Sequence, residues 1–166
     1  LYCQNHEISR PGSSCLSRSF GYEEALDEIE KILSKGIKAV GFVSPSQVVP
    51  QVRALIRGLN KRGLKPITVY NTNSYDKKET LRSLESIIDV YLPDYKYVSP
   101  ELAKRFSDAS GYPEIAFRAI TEMYYQKGSV MTTNDEGRAD NGMLIRILEP
   151  REAGRYTGKD ISLTKE

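Results

Sequence analysis

Short apolar runs alternate along this chain with longer segments of helical periodicity. The runs IKAVGFV, ITVYN, IIDVYLP and MLIRIL predict strands. The predicted helices are residues 21–36, 47–63, 77–86, 99–110 and 113–128. Strands that alternate with helices of about ten residues favour crossover connections and a parallel sheet. The predicted fold class is therefore α/β.

Length and charge narrow the range of partners. The chain has 166 residues, which fits one domain, and a formal net charge of +2. This charge is too small to indicate nucleic acid or an acidic membrane surface as a partner, and no apolar run approaches a membrane span. The first residues are polar and interrupted by a proline, so we expect no secretory signal and a cytoplasmic location. We expect a core over residues 1–150, and a polar tail over 151–166 that shows little periodicity.

Polar residues follow the predicted strands. They are Ser44, Pro45 and Ser46 after the first strand, Asn71 and Asn73 after the second, Asp94 and Lys96 after the third, and Arg146 inside the last. Parallel sheets bind ligands at the carboxyl ends of their strands, so these groups predict a pocket for a small zwitterion. Asp94 and Lys96 offer either an ion pair or one group each for a ligand. The alternative is that all these residues are solvated strand ends and turn formers.

Several kinds of site are disfavoured. The phosphate-binding patterns GxGxxG and GxxxxGK[ST] are absent. His6 is the single histidine, so a catalytic triad would need it as base, and a structural zinc site has too few ligands. Cys3 and Cys15 are either plain thiols or a disulfide pair.

The opening stretch YCQNHEIS resembles the end of the C-x3-C-x2-C motif of radical S-adenosylmethionine (SAM) enzymes, in which an aromatic residue precedes the last cysteine. Its continuation looks like the branch related to pyruvate formate-lyase activating enzyme. The resemblance extends over roughly residues 2 to 148, and YNTNSY and DVYLPDYKY are its other specific parts. It implies a parallel (β/α) barrel, here partial and truncated at both ends.

The resemblance also implies cofactors and roles. Three cysteines hold a [4Fe-4S] cluster, which cleaves SAM reductively to a 5′-deoxyadenosyl radical, and in activating enzymes this radical abstracts hydrogen from a glycyl radical enzyme. Cys3 corresponds to the third cluster ligand and Tyr2 to a contact of the SAM adenine. The resemblance also implies SAM contacts at the strand ends, with Ser44, Pro45 and Ser46 at the SAM amino group and Asn71 and Asn73 at the next strand exit. Asp94 and Lys96 correspond to an Asp-x-Lys that meets SAM or substrate, and Arg146 corresponds to an arginine that reaches the SAM carboxylate or ribose.

The sequence departs from the family pattern at important positions. The first two cluster cysteines would precede Leu1, so we expect this chain to hold the cluster poorly or not at all and to be inactive alone. Ser44 to Ser46 replace a Gly-Gly-Glu stretch. Missing barrel strands would leave an exposed sheet edge and invite self-association. The alternatives are a catalytically silent α/β fragment, a small-molecule-binding domain, or a barrel enzyme that uses Asp94 and Lys96 as acid and base.

Overall fold

The computed structural model describes residues 19–147. Tyr2, Cys3, Cys15 and the predicted tail lie outside this range, so the expectations for them stay predictions. The helices are α1 (Tyr22–Leu33), α2 (Val49–Lys61), α3 (Lys78–Arg82), α4 (Pro100–Ser107) and α5 (Tyr112–Lys127). The strands are β1 (Ala39–Val43), β2 (Ile67–Thr72), β3 (Val90–Tyr95), β4 (Thr132–Thr133), β5 (Ala139–Met143) and β6 (Arg146–Ile147), and a short 3-10 helix spans Pro45–Gln47.

The strands form one mostly parallel sheet in the order β1-β2-β3-β5-β4. The pairs β1–β2, β2–β3 and β3–β5 are parallel, and β6 also pairs in parallel with β3. Among the described strands, only β4 is antiparallel to its partner, β5. The predicted α/β class is confirmed. The outer edge of β1 has no partner strand in the described part of the chain, and self-association through such an edge stays a prediction.

The β4–β5 hairpin was not predicted, because its strands are short and polar rather than apolar. Its turn is organised by Asn134, whose Oδ1 accepts hydrogen bonds from the Glu136 and Arg138 amides at 3.0 Å each. Gly142 in β5 has φ +138°, and a Cβ there would lie 2.7 Å from the Met131 Cα. Only glycine fits this close approach to the residue that precedes β4.

The run MLIRIL was predicted as one strand, and the structure divides it between β5 and β6. Both pieces keep the same register on β3, with Tyr91 opposite Met143 and Asp94 opposite Arg146. The Tyr91 carbonyl accepts a hydrogen bond from the Leu144 amide at 3.0 Å, so this edge of β3 faces β5 and β6. Pro93 lies two residues after Tyr91, and its backbone therefore faces the same edge. Proline has no amide hydrogen, and the ladder is interrupted there.

The core lies between the sheet and helices α2, α3 and α5. Tyr70 of β2 and Tyr91 of β3 are fully buried on this face and meet edge to face at 5.9 Å. Their cluster includes Val52, Leu81 and Met123, from the three helices. The predicted helix over 77–86 is shorter than expected, because only Lys78–Arg82 is helical. Residues 83–87 form turns, and Leu84 and Ile88 are still buried.

The opposite face of the sheet is more open. Val43, Asn71 and Leu92 are register partners across β1, β2 and β3, so their side chains point to the same side. Val43 is 63% exposed, and Asn71 and Leu92 are partly buried. Asp94 lies two residues beyond Leu92 on this face, at the carboxyl end of β3.

Candidate functional site at the carboxyl edge of the sheet

Asp94, Lys96 and Arg146 form an ion-pair cluster at the carboxyl end of β3 and β6. Lys96 Nζ lies 2.8 Å from Asp94 Oδ2, and Arg146 Nε lies 2.5 Å from Asp94 Oδ1. The ion pair between Asp94 and Lys96 is one of the two alternatives predicted from the sequence. The Asp94 side chain is 6% exposed, whereas that of Arg146 is 52% exposed. The cluster therefore combines a buried anion with a cation that solvent and solutes can reach.

The cluster holds Asp94 in its charged form. Burial alone would raise the pKa of the Asp94 carboxyl, but hydrogen bonds from Arg146 and Lys96 outweigh burial and lower that pKa below its usual value. The same hydrogen bond to Asp94 raises the pKa of Arg146. Both shifts favour the charged forms of Asp94 and Arg146, so the ion pair between them persists at neutral pH.

Tyr112 of α5 connects the segments at the carboxyl ends of β2 and β3 by hydrogen bonds. Its hydroxyl lies 2.9 Å from the Asn73 carbonyl and 3.0 Å from the Asp94 carbonyl, and it accepts a hydrogen bond from the Lys96 amide at 2.9 Å. Tyr75 stacks on the Tyr112 ring with centroids 6.1 Å apart. Neither tyrosine was among the site residues predicted from the sequence. A tyrosine beside a proline at a helix start is the local signal that could have drawn attention to Tyr112.

The predicted residues Ser44, Asn71 and Asn73 lie at the same edge. The Ser44 amide donates to the Asn71 carbonyl at 2.8 Å, which joins the ends of β1 and β2. Asn73 Oδ1 accepts from the Tyr75 amide at 2.9 Å and forms a local turn. Asn71 is half-buried, and its side-chain amide makes no hydrogen bond within residues 19–147, so that group is available to a ligand.

Pro45 and Ser46 do not lie with the other predicted site residues. Pro45 is buried in the 3-10 helix, and Ser46 makes a side-chain hydrogen bond that lowers the pKa of Tyr70, on the helix-covered face. Burial is the larger influence there, and the net effect is a raised Tyr70 pKa. The carboxyl edge thus brings together Ser44, Asn71, Asn73, Asp94, Lys96 and Arg146, and it turns Ser46 to the other side of the sheet.

A second polar cluster surrounds Asp76 on the helix-covered face. Thr72 Oγ1 donates to Asp76 Oδ2 at 2.5 Å, and the Tyr70 hydroxyl donates to Asp76 Oδ1 at 3.1 Å. The Ser74 amide donates to Thr72 Oγ1 at 3.1 Å, and Ser74 itself has φ +64°. All four side chains are at most 5% exposed. This cluster was not predicted from the sequence, and its signal there is the alternation of hydroxyl residues along β2.

The chemistry available at the carboxyl edge is recognition of a charged polar group. The Arg146 Nη atoms have no hydrogen-bond partner within residues 19–147 and can fork onto a carboxylate. Asn71 offers both an amide donor and a carbonyl acceptor. Within the described residues no group of three or more His, Cys, Asp or Glu side chains is placed to hold a metal ion. Over the same part of the chain, every helix is too short or too polar to cross a bilayer.

Comparisons with known proteins add a distant relative. The chain is 24% identical over 124 residues to the uncharacterized protein MJ0674 of Methanocaldococcus jannaschii. The aligned part is 71% of this chain and 36% of that protein, so the chain spans about a third of its relative. No protein-family model matches the chain, and no solved structure matches it.

Proposed function

We propose that this chain is the SAM-binding part of an iron–sulfur radical SAM enzyme similar to pyruvate formate-lyase activating enzyme. The observation that carries the proposal is the cluster of Asp94, Lys96 and Arg146 at the carboxyl edge of a parallel sheet. This edge is where parallel α/β sheets bind ligands. The cluster uses residues at which the resemblance implies SAM contacts.

The charges of the cluster suit the amino-acid part of SAM. Arg146 has unpaired Nη donors for the carboxylate of the ligand, and its side chain is half-exposed. The side-chain Oδ1 of Asn71, on the same face, can accept from the ligand's ammonium group. Asp94 holds Arg146 and Lys96 in place, so part of the ordering cost of binding is already met by the folded protein.

The backbone at Ser44 gives further support. Ser44 has φ +50° and ψ +48°, the left-handed conformation that glycine adopts with least strain. The resemblance implies glycine in this stretch, where the backbone approaches the SAM amino group. A serine in this conformation keeps the turn, while the loss of the family's glutamate removes one anionic contact and predicts weaker binding.

The cysteines of these 166 residues do not fit a [4Fe-4S] cluster of this family. A site-differentiated [4Fe-4S] cluster needs three thiolates in the family spacing, and the sequence supplies Cys3 and Cys15, of which only Cys3 fits that spacing. We therefore derive no radical step for this chain. Reductive SAM cleavage, activation of a glycyl radical enzyme, a barrel-type sheet and a cytoplasmic location are parts of the proposal that rest on the resemblance.

Calorimetry with SAM tests the binding proposal. The chain should bind SAM saturably, and Arg146→Gln should weaken binding about tenfold, since it removes a charge-assisted contact to the carboxylate, worth about 1.4 kcal/mol at that ratio. Free methionine should compete, because it carries the same carboxylate and ammonium groups.

Arg138→Gln is the matched control. Arg138 is an exposed arginine of the β4–β5 hairpin that pairs with Glu136, and its replacement removes the same charge away from the site. The proposal is wrong if SAM does not bind saturably at millimolar concentration, or if both variants lose affinity equally. Saturable binding of other carboxylates without SAM would favour the small-molecule-binding alternative.

A further inference from the structure

A cationic cleft lies between α2 and α3, on the helix-covered side of the molecule. Its volume is about 520 Å³, within the usual range for small-ligand sites. The lining residues are Ser46, Val49, Pro50, Arg53, Ala54, Arg57, Thr80 and Ser83. The cleft is separate from the Asp94 cluster, and none of the residues that form that cluster lines it.

The charge of the cleft is unbalanced. Arg53 and Arg57 are one helical turn apart on α2, so their side chains lie on the same face of the helix. Neither arginine makes a hydrogen bond or an ion pair with residues 19–147, and no acidic side chain is among the residues that line the cleft. Two neighbouring arginines are paired: Arg62, which follows α2, bonds to Glu23, Asp27 and Glu30, and Arg82 of α3 lies 3.4 Å from Glu122.

The opposite wall adds neutral hydrogen-bonding groups. Thr80 of α3 is half-buried and Ser83 follows the end of that helix, and Ser46 contributes a third hydroxyl from the 3-10 helix. Ser83 Oγ donates to the Thr80 carbonyl at 2.7 Å and can still accept or share a hydrogen bond. Val49, Pro50 and Ala54 supply an apolar floor. Two adjacent arginines and several hydroxyls can bind the phosphate of a small phosphorylated molecule, and an apolar surface can contact the rest of it.

We propose that this cleft binds the diphosphate group of a small organic phosphate. The two guanidinium groups at i and i+4 provide two adjacent cationic forks, which suit two linked phosphates better than one. The hydroxyls of Thr80 and Ser83 complete the oxygen contacts from the other side. The proposal is independent of SAM binding, since it uses different residues on the opposite side of the sheet.

The test is titration of the chain with inorganic pyrophosphate and with inorganic phosphate, followed by calorimetry and by amide shifts in NMR. Pyrophosphate should bind saturably and at least tenfold more tightly than phosphate, with the largest shifts in α2 and around Thr80 and Ser83. The double variant Arg53→Gln, Arg57→Gln should weaken pyrophosphate binding at least tenfold. Thermal unfolding of each variant shows that the fold is retained.

Lys35→Gln with Lys61→Gln is the matched control, because it removes two exposed charges near α1 and α2 without touching the cleft. This control should change affinity less than twofold. Equal losses in the two double variants would reduce the effect to general electrostatics and overturn the proposal. A loss in Arg146→Gln that matches the Arg53 and Arg57 variant, or the absence of saturable binding, would overturn it as well.

Discussion

Two buried aspartates follow neighbouring strands of the same sheet, and their surroundings differ. Asp94, at the end of β3, faces the more open side and is held by two cations. Asp76, just after β2, faces the helices and is held by the hydroxyls of Tyr70 and Thr72. Both residues are at most 5% exposed. Burial is therefore the same for the two carboxylates, and only the partners distinguish them.

The partners decide what each carboxylate can do. The partners of Asp94 are partly in solvent, with side-chain exposures of 21% for Lys96 and 52% for Arg146, and can turn toward a ligand. The hydroxyl partners of Asp76, Tyr70 and Thr72, are at most 1% exposed, so a ligand could reach them only by opening the core. A buried carboxylate at a strand end is thus a sign of a binding site only when its partners remain accessible.

The largest expected effect is the loss of Asp76. Asp76→Ala removes the carboxylate that accepts from the buried hydroxyls of Tyr70 and Thr72, and it should lower the free energy of unfolding by about 2–4 kcal/mol. Asp94→Ala should cost less, about 1–2 kcal/mol, since its partly exposed partners regain water. Urea unfolding of the two variants measures the difference.

Asp135→Ala is the control for both variants, because Asp135 is an exposed residue of the β4–β5 turn. It should change the free energy of unfolding by less than about 0.5 kcal/mol. If Asp94→Ala proves more destabilising than Asp76→Ala, the distinction between a structural and an accessible carboxylate fails.

A smaller effect is expected at Tyr112, which connects the exits of β2 and β3. Tyr112→Phe removes the acceptor of the buried Lys96 amide and should destabilise the fold by about 1–2 kcal/mol. SAM affinity should fall a few-fold, because Asp94 and Lys96 lose their attachment to the Asn73 carbonyl. Unfolding and calorimetry measure the two effects. Tyr125→Phe, at a position 73% exposed, should leave both quantities unchanged, and an equal response of the two variants would contradict this role.

The smallest effect is the acid dependence due to Asp94. Its folded-state pKa is lowered, so the ionised form stabilises the fold at every pH above its unfolded value near about 4, and this contribution is lost as pH falls through the lower folded value. Between pH 5 and pH 3, wild type should lose up to about 1 kcal/mol more stability than Asp94→Asn. Denaturant unfolding at the two pH values gives the comparison, and identical acid profiles would exclude the ion pair as a source of stability.

Much of the fold follows from apolar periodicity. The helices over Tyr22–Leu33, Val49–Lys61 and Tyr112–Lys127 and the first three strands lie where the pattern predicts them, because each buries its apolar residues on one face. The β4–β5 hairpin could not be predicted in this way. Two residues of β4 contribute no apolar run, and the pairing depends on the close contact of Gly142 with Met131.

The site was predictable to the extent that strand ends are recognisable. Asp94 and Lys96 are two residues apart at a strand end, which indicates a shared face, and Arg146 follows from strand pairing. Ser46 was grouped with them from its sequence position, although the 3-10 helix turns it toward Tyr70. Tyr112 and Asp76 act through partners that are distant in sequence or hidden in the core, so the helix start before Pro113 and the hydroxyl pattern of β2 do not by themselves indicate these contacts.

Pro93 gives the last strand pair an unusual attachment. Since proline interrupts the ladder between β3 and the segment that follows Met143, β6 pairs with β3 within residues 19–147 through two residue pairs, one of which is Asp94 with Arg146. The Arg146 guanidinium, which is accessible to a ligand, therefore also helps to hold β6 on β3. A ligand that draws Arg146 away from Asp94 would therefore weaken the pairing of β6 with β3. Ligand binding at the carboxyl edge and the pairing of β6 are thus thermodynamically linked.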